Sequence, residues 1–269
     1  MDDRGKAVEK ALVWRLSLLV CLLVAGPVSA QNKYDVLAHM LQPYGALFYS
    51  RSPTKALQAD VVLTDGTETD ASVTLTNQPI RLSLQMPDKL RLETLDPNRK
   101  VVLCRNGQHV WVYPPDLADR LIAAAPPPGP EVRLPDFHLP IKDKEIALAA
   151  ALFQIVRFES ATGPSGRPAW SLDFRLAPPL MQGLKQKDWL ASALIRQRDF
   201  QLEQLVIQGS AWSGKLQILT IRFFHSLPPE IFEPAPALKG SVRDIPPALF
   251  GSALARLSRI TVADTPSWR

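Results

Sequence analysis

An alternation of apolar and polar residues with a period of two constrains this chain more than any other feature of its sequence. The alternation begins at Leu57 and continues, interrupted by short turn signals, to Tyr113. Successive side chains of a β-strand point to opposite faces of a sheet, so this pattern predicts strands with one buried face and one wet face. About six consecutive strands with short turns fit the region, which predicts an antiparallel meander.

The clearest turn signal in the meander is Asn106-Gly107, within the segment VLCRNGQHVWVYPPD at residues 102–116. An Asn-Gly pair between two apolar runs predicts a β-hairpin with a tight turn. The second strand of this hairpin has aliphatic residues on one face. Its other face carries a histidine and two large aromatic residues: His109, Trp111 and Tyr113.

The meander presents a long apolar face. We predict that the following residues all point to one side of the sheet: Val73, Leu75, Ile80, Leu82, Leu84, Met86, Leu90, Leu92, Trp111 and Tyr113. A sheet must cover such a face, and by periodicity alone a core packed by helices is the simpler interpretation. A ligand cavity is the alternative.

Helices and prolines frame the predicted strands. A first helix carries Tyr34, Leu37, Ala38 and Leu41 at helical spacing, and Pro43 is expected to bend or end it. The proline-rich segment 117–141 predicts a loop, and residues 143–153 predict a second helix. Further strands are predicted at 156–159, 170–176, 189–197, 200–208 and 215–224. A proline-rich C-terminal extension follows, with a last amphipathic helix at 248–259.

The N-terminal residues 1–30 read as an export signal. Basic residues precede an apolar run at 16–28, and Val28-Ser29-Ala30 supplies the small residues of a cleavage site. An uncleaved anchor is the alternative. Cleavage leaves residues 31–269, which we expect to form one domain in the periplasm, with 27 basic and 23 acidic residues. This mild, scattered excess of positive charge makes nucleic acid an unsuitable partner.

A search for catalytic and metal-binding patterns finds none. The four histidines, His39, His109, His138 and His225, stand far apart, and no glycine-rich phosphate loop or G-x-S-x-G elbow is present. Cys104 is the one cysteine after residue 30 and lies in an apolar strand, which favours a buried thiol. We therefore expect no enzyme, cofactor or metal. A secreted hydrolase would require at least two of His109, His138 and His225 to meet a carboxylate.

Residues 86–117, MPDKLRLETLDPNRKVVLCRNGQHVWVYPPDL, resemble the outer-membrane lipoprotein carrier family of periplasmic proteins. The resemblance lies in two prolines that flank a charged strand, an apolar strand that ends in a glycine turn, and a W-x-Y-x-P-D type of strand. These correspond to Pro87, Lys89-Leu90-Arg91, Pro97, Val101-Val102-Leu103, Gly107 and Trp111 to Asp116. The resemblance implies an α+β fold, an incomplete antiparallel β-barrel of about 10 or 11 strands wrapped over helices.

The same resemblance implies that the concave side of the barrel is an apolar cavity for lipid or for the acyl chains of lipoproteins. Each CH₂ group exposed to water costs roughly 0.8 kcal/mol, so an acyl chain of about 16 carbons costs roughly 13 kcal/mol to carry without cover. We therefore expect a monomeric, non-catalytic carrier, with a membrane-associated protein as a further candidate partner. The alternative is a periplasmic sensor or scaffold of the same fold that acts through a protein partner.

Overall fold

The computed structural model describes residues 32–49, 51–65, 77–123, 133–137, 149–178, 190–208, 213–251 and 253–254. Besides helical residues from Phe250 onward, two complete α-helices and eleven strands lie in these ranges. They are α1 (Lys33–Phe48), β1 (Ala56–Asp65), β2 (Pro79–Gln85), β3 (Lys89–Thr94), β4 (Val102–Asn106), β5 (His109–Tyr113), α2 (Pro115–Ala123), β6 (Phe153–Thr162), β7 (Pro168–Leu176), β8 (Leu190–Arg196), β9 (Leu202–Gln208), β10 (Ser213–Phe224) and β11 (Arg243–Asp244).

All eleven strands form one antiparallel sheet. Their order is β11-β5-β4-β3-β2-β1-β10-β9-β8-β7-β6, so the sheet is open, with β11 and β6 as its outer strands. The predicted meander is confirmed for β1 to β5, which pair in sequence order. A second meander runs from β6 to β10, and the β1–β10 pair joins the two halves. The incomplete antiparallel barrel over helices is thus the observed fold class.

The predicted hairpin at Asn106-Gly107 is present. Asn106 pairs with His109, and Gly107 has a φ of 67°, a left-handed conformation that glycine adopts without the steric penalty of a Cβ. The Gly163–Gly166 turn between β6 and β7 is also present, with Gly166 at a φ of 74°. Local turn chemistry therefore sets the position of both hairpins.

Different parts of the chain cover the two faces of the sheet. Helices α1 and α2 pack on one of them, which we call the helix face, through Leu47, Leu117 and Leu121 among others. The chain after β10 packs on the opposite face, which we call the tail face, through Leu227 and Phe232. Both faces of the β3–β5 region are therefore buried.

Helix α1 continues past Pro43 to Phe48, so of the two predicted effects of Pro43, a bend or an end of the helix, the end does not occur. Proline cannot donate the backbone hydrogen bond to the preceding turn, and this usually interrupts a helix. Here apolar contacts hold the chain on both sides of the proline. Val36, Leu37 and Met40 pack against the β6–β9 half of the sheet, and Leu47 packs against the β1–β5 half.

Three other boundaries differ from their predictions. Residues 115–123, the start of the predicted proline-rich loop, form α2, because Pro115 suits a first helical position and Leu117, Ala118 and Leu121 bury at helical spacing. Phe153 begins β6 instead of ending a helix, and the four described residues immediately before it, Ala149–Leu152, form a 3₁₀ turn. The predicted last helix begins with a 3₁₀ turn, Pro247–Leu249, and becomes helical at Phe250.

Several predicted segments lie outside the described residues. These are the signal region 1–30, the strand with Val73 and Leu75, most of the proline-rich segment, the start of the predicted second helix, and residues 255–259 of the last helix. Among the described residues, no helix has the length and apolar character that crossing a bilayer requires.

A candidate ligand wall on the helix face

The structure brings six of the predicted binding residues together on the helix face. Ile80, Leu90 and Leu92 are buried there, whereas the other three keep part of their surface exposed: Leu82, Leu84 and Met86. Register explains this arrangement, because Leu82 pairs with Leu92 and Leu84 pairs with Leu90 across β2 and β3. Val73 and Leu75 lie outside the described residues.

The apolar wall extends beyond the predicted residues onto β10. Leu216, Ile218, Ile221 and Phe223 of that strand lie on the helix face and are only partly buried. Ile218 contacts both the cluster of the first meander and the cluster of the second, so the two clusters form one apolar surface. The alternation in 215–224 predicts the strand but not that it pairs with β1, which is far away in sequence.

Helix α1 crosses this wall without covering all of it. Tyr44 sits at the crossing, with its ring edge-on to Phe223 at 5.5 Å between centroids. Burial raises the pKa of the Tyr44 hydroxyl to about 12, so the side chain is neutral at every physiological pH. On the same face Ile80, Leu90 and Leu92 are buried, whereas Leu84, Leu216 and Ile221 stay partly exposed.

Trp111 and Tyr113 lie on the tail face, so the prediction that they share a side with the leucines of β2 and β3 is wrong. Cys104 pairs with Trp111 and Arg91 pairs with Cys104, which places Trp111 in line with the polar phase of β3. The helix face of β5 is formed instead by Val110 and Val112. Both faces of β5 are apolar, and its alternation therefore does not reveal which face meets the helices.

Trp111 holds the segment that follows β10. Its side chain is fully buried against Phe232, and its indole N–H donates a hydrogen bond of 3.3 Å to the Phe232 carbonyl. The Arg91 guanidinium lies 5.4 Å from the Trp111 ring and donates to the carbonyls of Ile231 and Glu233. The strand that resembles the carrier family thus anchors the proline-rich extension.

Glu93 completes this anchor. Its carboxylate accepts hydrogen bonds of 2.8 Å from both Arg91 and Lys100. Burial acts to raise the pKa of Glu93, but the hydrogen bonds from Lys100 and Arg91 outweigh burial, and the net result is a lowered pKa. The carboxylate is therefore charged at neutral pH and fixes the guanidinium that holds the extension.

Cys104 is buried as predicted. Its S–H donates to the Phe232 carbonyl at 3.3 Å, and burial raises the pKa of the thiol to about 12. A thiol with this pKa is almost fully protonated near neutral pH, so it is a poor nucleophile. This residue packs the extension and has no features of a reactive site.

Arg105 is a buried cation on the helix face. Its side chain donates to the carbonyls of Gly107 and Pro135, and its guanidinium lies 4.6 Å from the Phe137 ring. Reciprocal hydrogen bonds between Gln108 and Leu134 fix the same segment, 133–137, at this end of the sheet. The alternation of β4 does not reveal this contact, because Arg105 pairs with Leu90 on the helix face, at a position where the pattern predicts an apolar residue.

The described histidines bind separate partners. His109 Nε2 lies 2.8 Å from an Asp244 carboxylate oxygen, whereas His225 Nδ1 lies 2.7 Å from the Pro53 carbonyl. His39 stacks on Phe200, and His138 lies outside the described residues. Within the described part of the chain, no group of three or more metal-type ligands comes together.

Comparisons with known proteins give weak likenesses. No protein-family model and no curated protein matches this sequence. A chain from the Pseudomonas aeruginosa MucA/MucB complex matches at 9% identity with a TM-score of 0.41, over 79% of this chain and 62% of that chain. Mycobacterium tuberculosis lipoprotein LppX matches at 11% identity with a TM-score of 0.37, over 73% of this chain and 99% of that chain. LprF from Mycobacterium bovis matches at 7% identity with a TM-score of 0.36, over 71% of this chain and 95% of that chain.

The present chain thus spans about three fifths of the length of the MucA/MucB chain that it matches. All three TM-scores lie below 0.5, and what these proteins bind is not transferred to this chain on their account. The open antiparallel sheet over helices stands on the strands and helices described above.

Proposed function

We propose that this protein is a non-catalytic periplasmic binding protein for lipid or for the acyl chains of lipoproteins. The observation that carries this proposal is the apolar wall of β2 and β10, which stays partly exposed between the helices. Leu82, Leu84, Leu216, Ile221 and Phe223 form it. An acyl chain placed on this wall would gain roughly 0.8 kcal/mol for each CH₂ group removed from water.

The polar groups near the wall support binding rather than chemistry. Arg105 lies on the helix face with its donors turned to carbonyl groups. Tyr44 is buried and neutral at the crossing of α1. Among the described residues, neither Arg105 nor Tyr44 is paired with an activating group of the kind that nucleophilic or acid–base catalysis requires. An acyl chain needs no such group, because its affinity comes from buried area.

Titration with a fluorescent fatty acid tests this proposal. Leu84 is the best position for a disruptive change, because its side chain is part of the wall and is already partly exposed. We expect Leu84→Glu to weaken probe binding at least about tenfold, equivalent to about 1.4 kcal/mol, while the protein stays folded. Val156→Glu is a matched control, because Val156 is 57% exposed on β6. Equal probe binding by Leu84→Glu and the unmodified protein would contradict the proposal.

A further inference from the structure

One strand inside the sheet, β10, is unpaired along part of one side in the part of the chain that the structure describes. Strand β10 pairs with β1 along its whole length, from Gly214 to Phe224. On its other side the pairing with β9 stops at Gln217, opposite Gln204. Residues 218–224 of β10 therefore have no strand neighbour on that side among the described residues. Alternate backbone N–H and C=O groups of this stretch point into the gap.

Two β-bulges open the gap. Thr220 pairs with Asp60 and Ile218 with Val61, so Leu219 is an extra residue in β10. Ile195 pairs with Leu202 and Leu194 with Gln204, so Glu203 is an extra residue in β9. Bulges bend a strand and end regular pairing, and they occur next to binding sites more often than elsewhere. Here the two bulges lie on neighbouring strands and line the same space.

This space is a cavity of about 320 Å³. One wall is the open stretch of β10, including Leu219, whose side chain is 49% exposed. The opposite wall is formed by Glu203 and by the β6–β7 turn with Ser165 and Arg167. Ligand sites commonly have volumes of about 300–1,000 Å³, and this cavity lies at the lower limit.

The wall opposite β10 is held rigidly. Glu203 is almost completely buried, and one of its carboxylate oxygens accepts a 2.8 Å hydrogen bond from Ser165. The other oxygen, Oε2, has no hydrogen-bond partner among the described residues and lies against Gly163. A Cβ at position 163 would collide with Oε2, so a larger residue there would require the Glu203 carboxylate to shift. Arg196 stabilises the turn between β8 and β9 by donating two hydrogen bonds to the Asp199 carboxylate.

We propose that this gap binds an extended peptide that pairs with β10 as an added strand. An open edge selects an extended peptide because the peptide main chain supplies complementary hydrogen-bonding groups at a matching repeat. This site shares Ile221 and Phe223 with the acyl wall, but the backbone edge that it uses does not depend on the proposed lipid function. The outer strand β6 offers the other long edge, but the charged side chains of its Arg157–Glu159 ion pair disfavour an added strand there.

The residues of β10 define the chemistry of this peptide. Ile221 and Phe223 face the helix side, so peptide residues beside them should be apolar. Arg222 is exposed on the tail face, where Asp60 already bonds to Arg81. Among the described residues, Arg167 across the cavity forms no side-chain ion pair. Cross-strand pairs of opposite charge are favourable, so the peptide is expected to alternate apolar and acidic residues.

The test uses a labelled, end-capped peptide of alternating valine and glutamate, titrated into the full protein and followed by fluorescence anisotropy. We expect saturable binding and slower hydrogen exchange at the amides of residues 218–224. Peptides with N-methyl groups on alternate residues remove the donors along one edge only. One of the two N-methylated sets should bind at least about tenfold more weakly than the other.

Charge variants locate the site. Arg222→Glu should weaken binding of the valine–glutamate peptide about five- to tenfold, and a valine–lysine peptide should regain affinity for this variant. Arg157→Glu on β6 is the matched control and should leave binding unchanged. Three results would overturn the proposal: absence of binding, equal binding of both N-methylated sets, or a loss in Arg157→Glu equal to that in Arg222→Glu. Lipid content measured on the same samples reports on the acyl wall separately.

Discussion

Glu93 shows how a single buried charge fixes the extension after β10. Its side chain is 14% exposed and bonds to two cations, Arg91 and Lys100. Arg91 in turn donates to the carbonyls of Ile231 and Glu233. Removing the charge therefore weakens the hold on the extension as well as the ion pair.

We predict that Glu93→Gln lowers the free energy of unfolding by about 2 kcal/mol at pH 7, because hydrogen bonds to charged groups contribute about 1.5–3 kcal/mol. The pKa of Glu93 is lower in the folded protein than its ordinary value of about 4.3, so the charged form stabilises the fold above that value. This contribution is lost as the pH falls through the folded pKa. Urea unfolding at several pH values measures both effects.

The variant should accordingly lose less stability than the unmodified protein as the pH falls below the ordinary glutamate pKa of about 4.3. Lys239→Gln is a control for the removal of an exposed charge, since Lys239 lies in the extension but outside this anchor. An identical acid dependence in Glu93→Gln and the unmodified protein would show that Glu93 is not the group that titrates.

At the scale of elements, β5 is a strand whose position could be predicted from the sequence but whose orientation could not. The Asn106-Gly107 turn predicts the hairpin because a tight turn depends on local backbone chemistry. The predicted orientation of β5 was wrong. Its valines and its aromatics are both apolar, so alternation alone does not show which set faces the helices. Only the extension after β10, far away in sequence, explains why Trp111 is buried on the tail face.

Because Leu84 and Trp111 lie on opposite faces of the sheet, a charge should have different effects at the two positions. Trp111→Glu places a charge in a fully buried site and leaves a cavity, so we predict a loss of at least about 3–5 kcal/mol in unfolding free energy. Leu84→Glu alters a partly exposed position and should cost much less. Thermal unfolding of both variants checks this order. A Trp111→Glu protein as stable as Leu84→Glu would contradict the placement of Trp111.

At the scale of the whole molecule, the sequence predicted the strands better than their arrangement. Alternation located most of the β1–β10 segments, since each alternation is local. The β1–β10 pair joins residues more than a hundred positions apart, and no local pattern signals it. The same pair places Leu216, Ile221 and Phe223 beside the leucines of β2, so half of the candidate wall could not be predicted from the meander.

The most direct test of a lipid-binding role is mass spectrometry of an organic extract from the protein, purified from the periplasm without detergent. The account predicts phospholipid or an acylated peptide in about equimolar amount, and a marked decrease in the Leu84→Glu variant. A lipid-free extract from the folded protein would contradict the central claim and would favour a role through a protein partner.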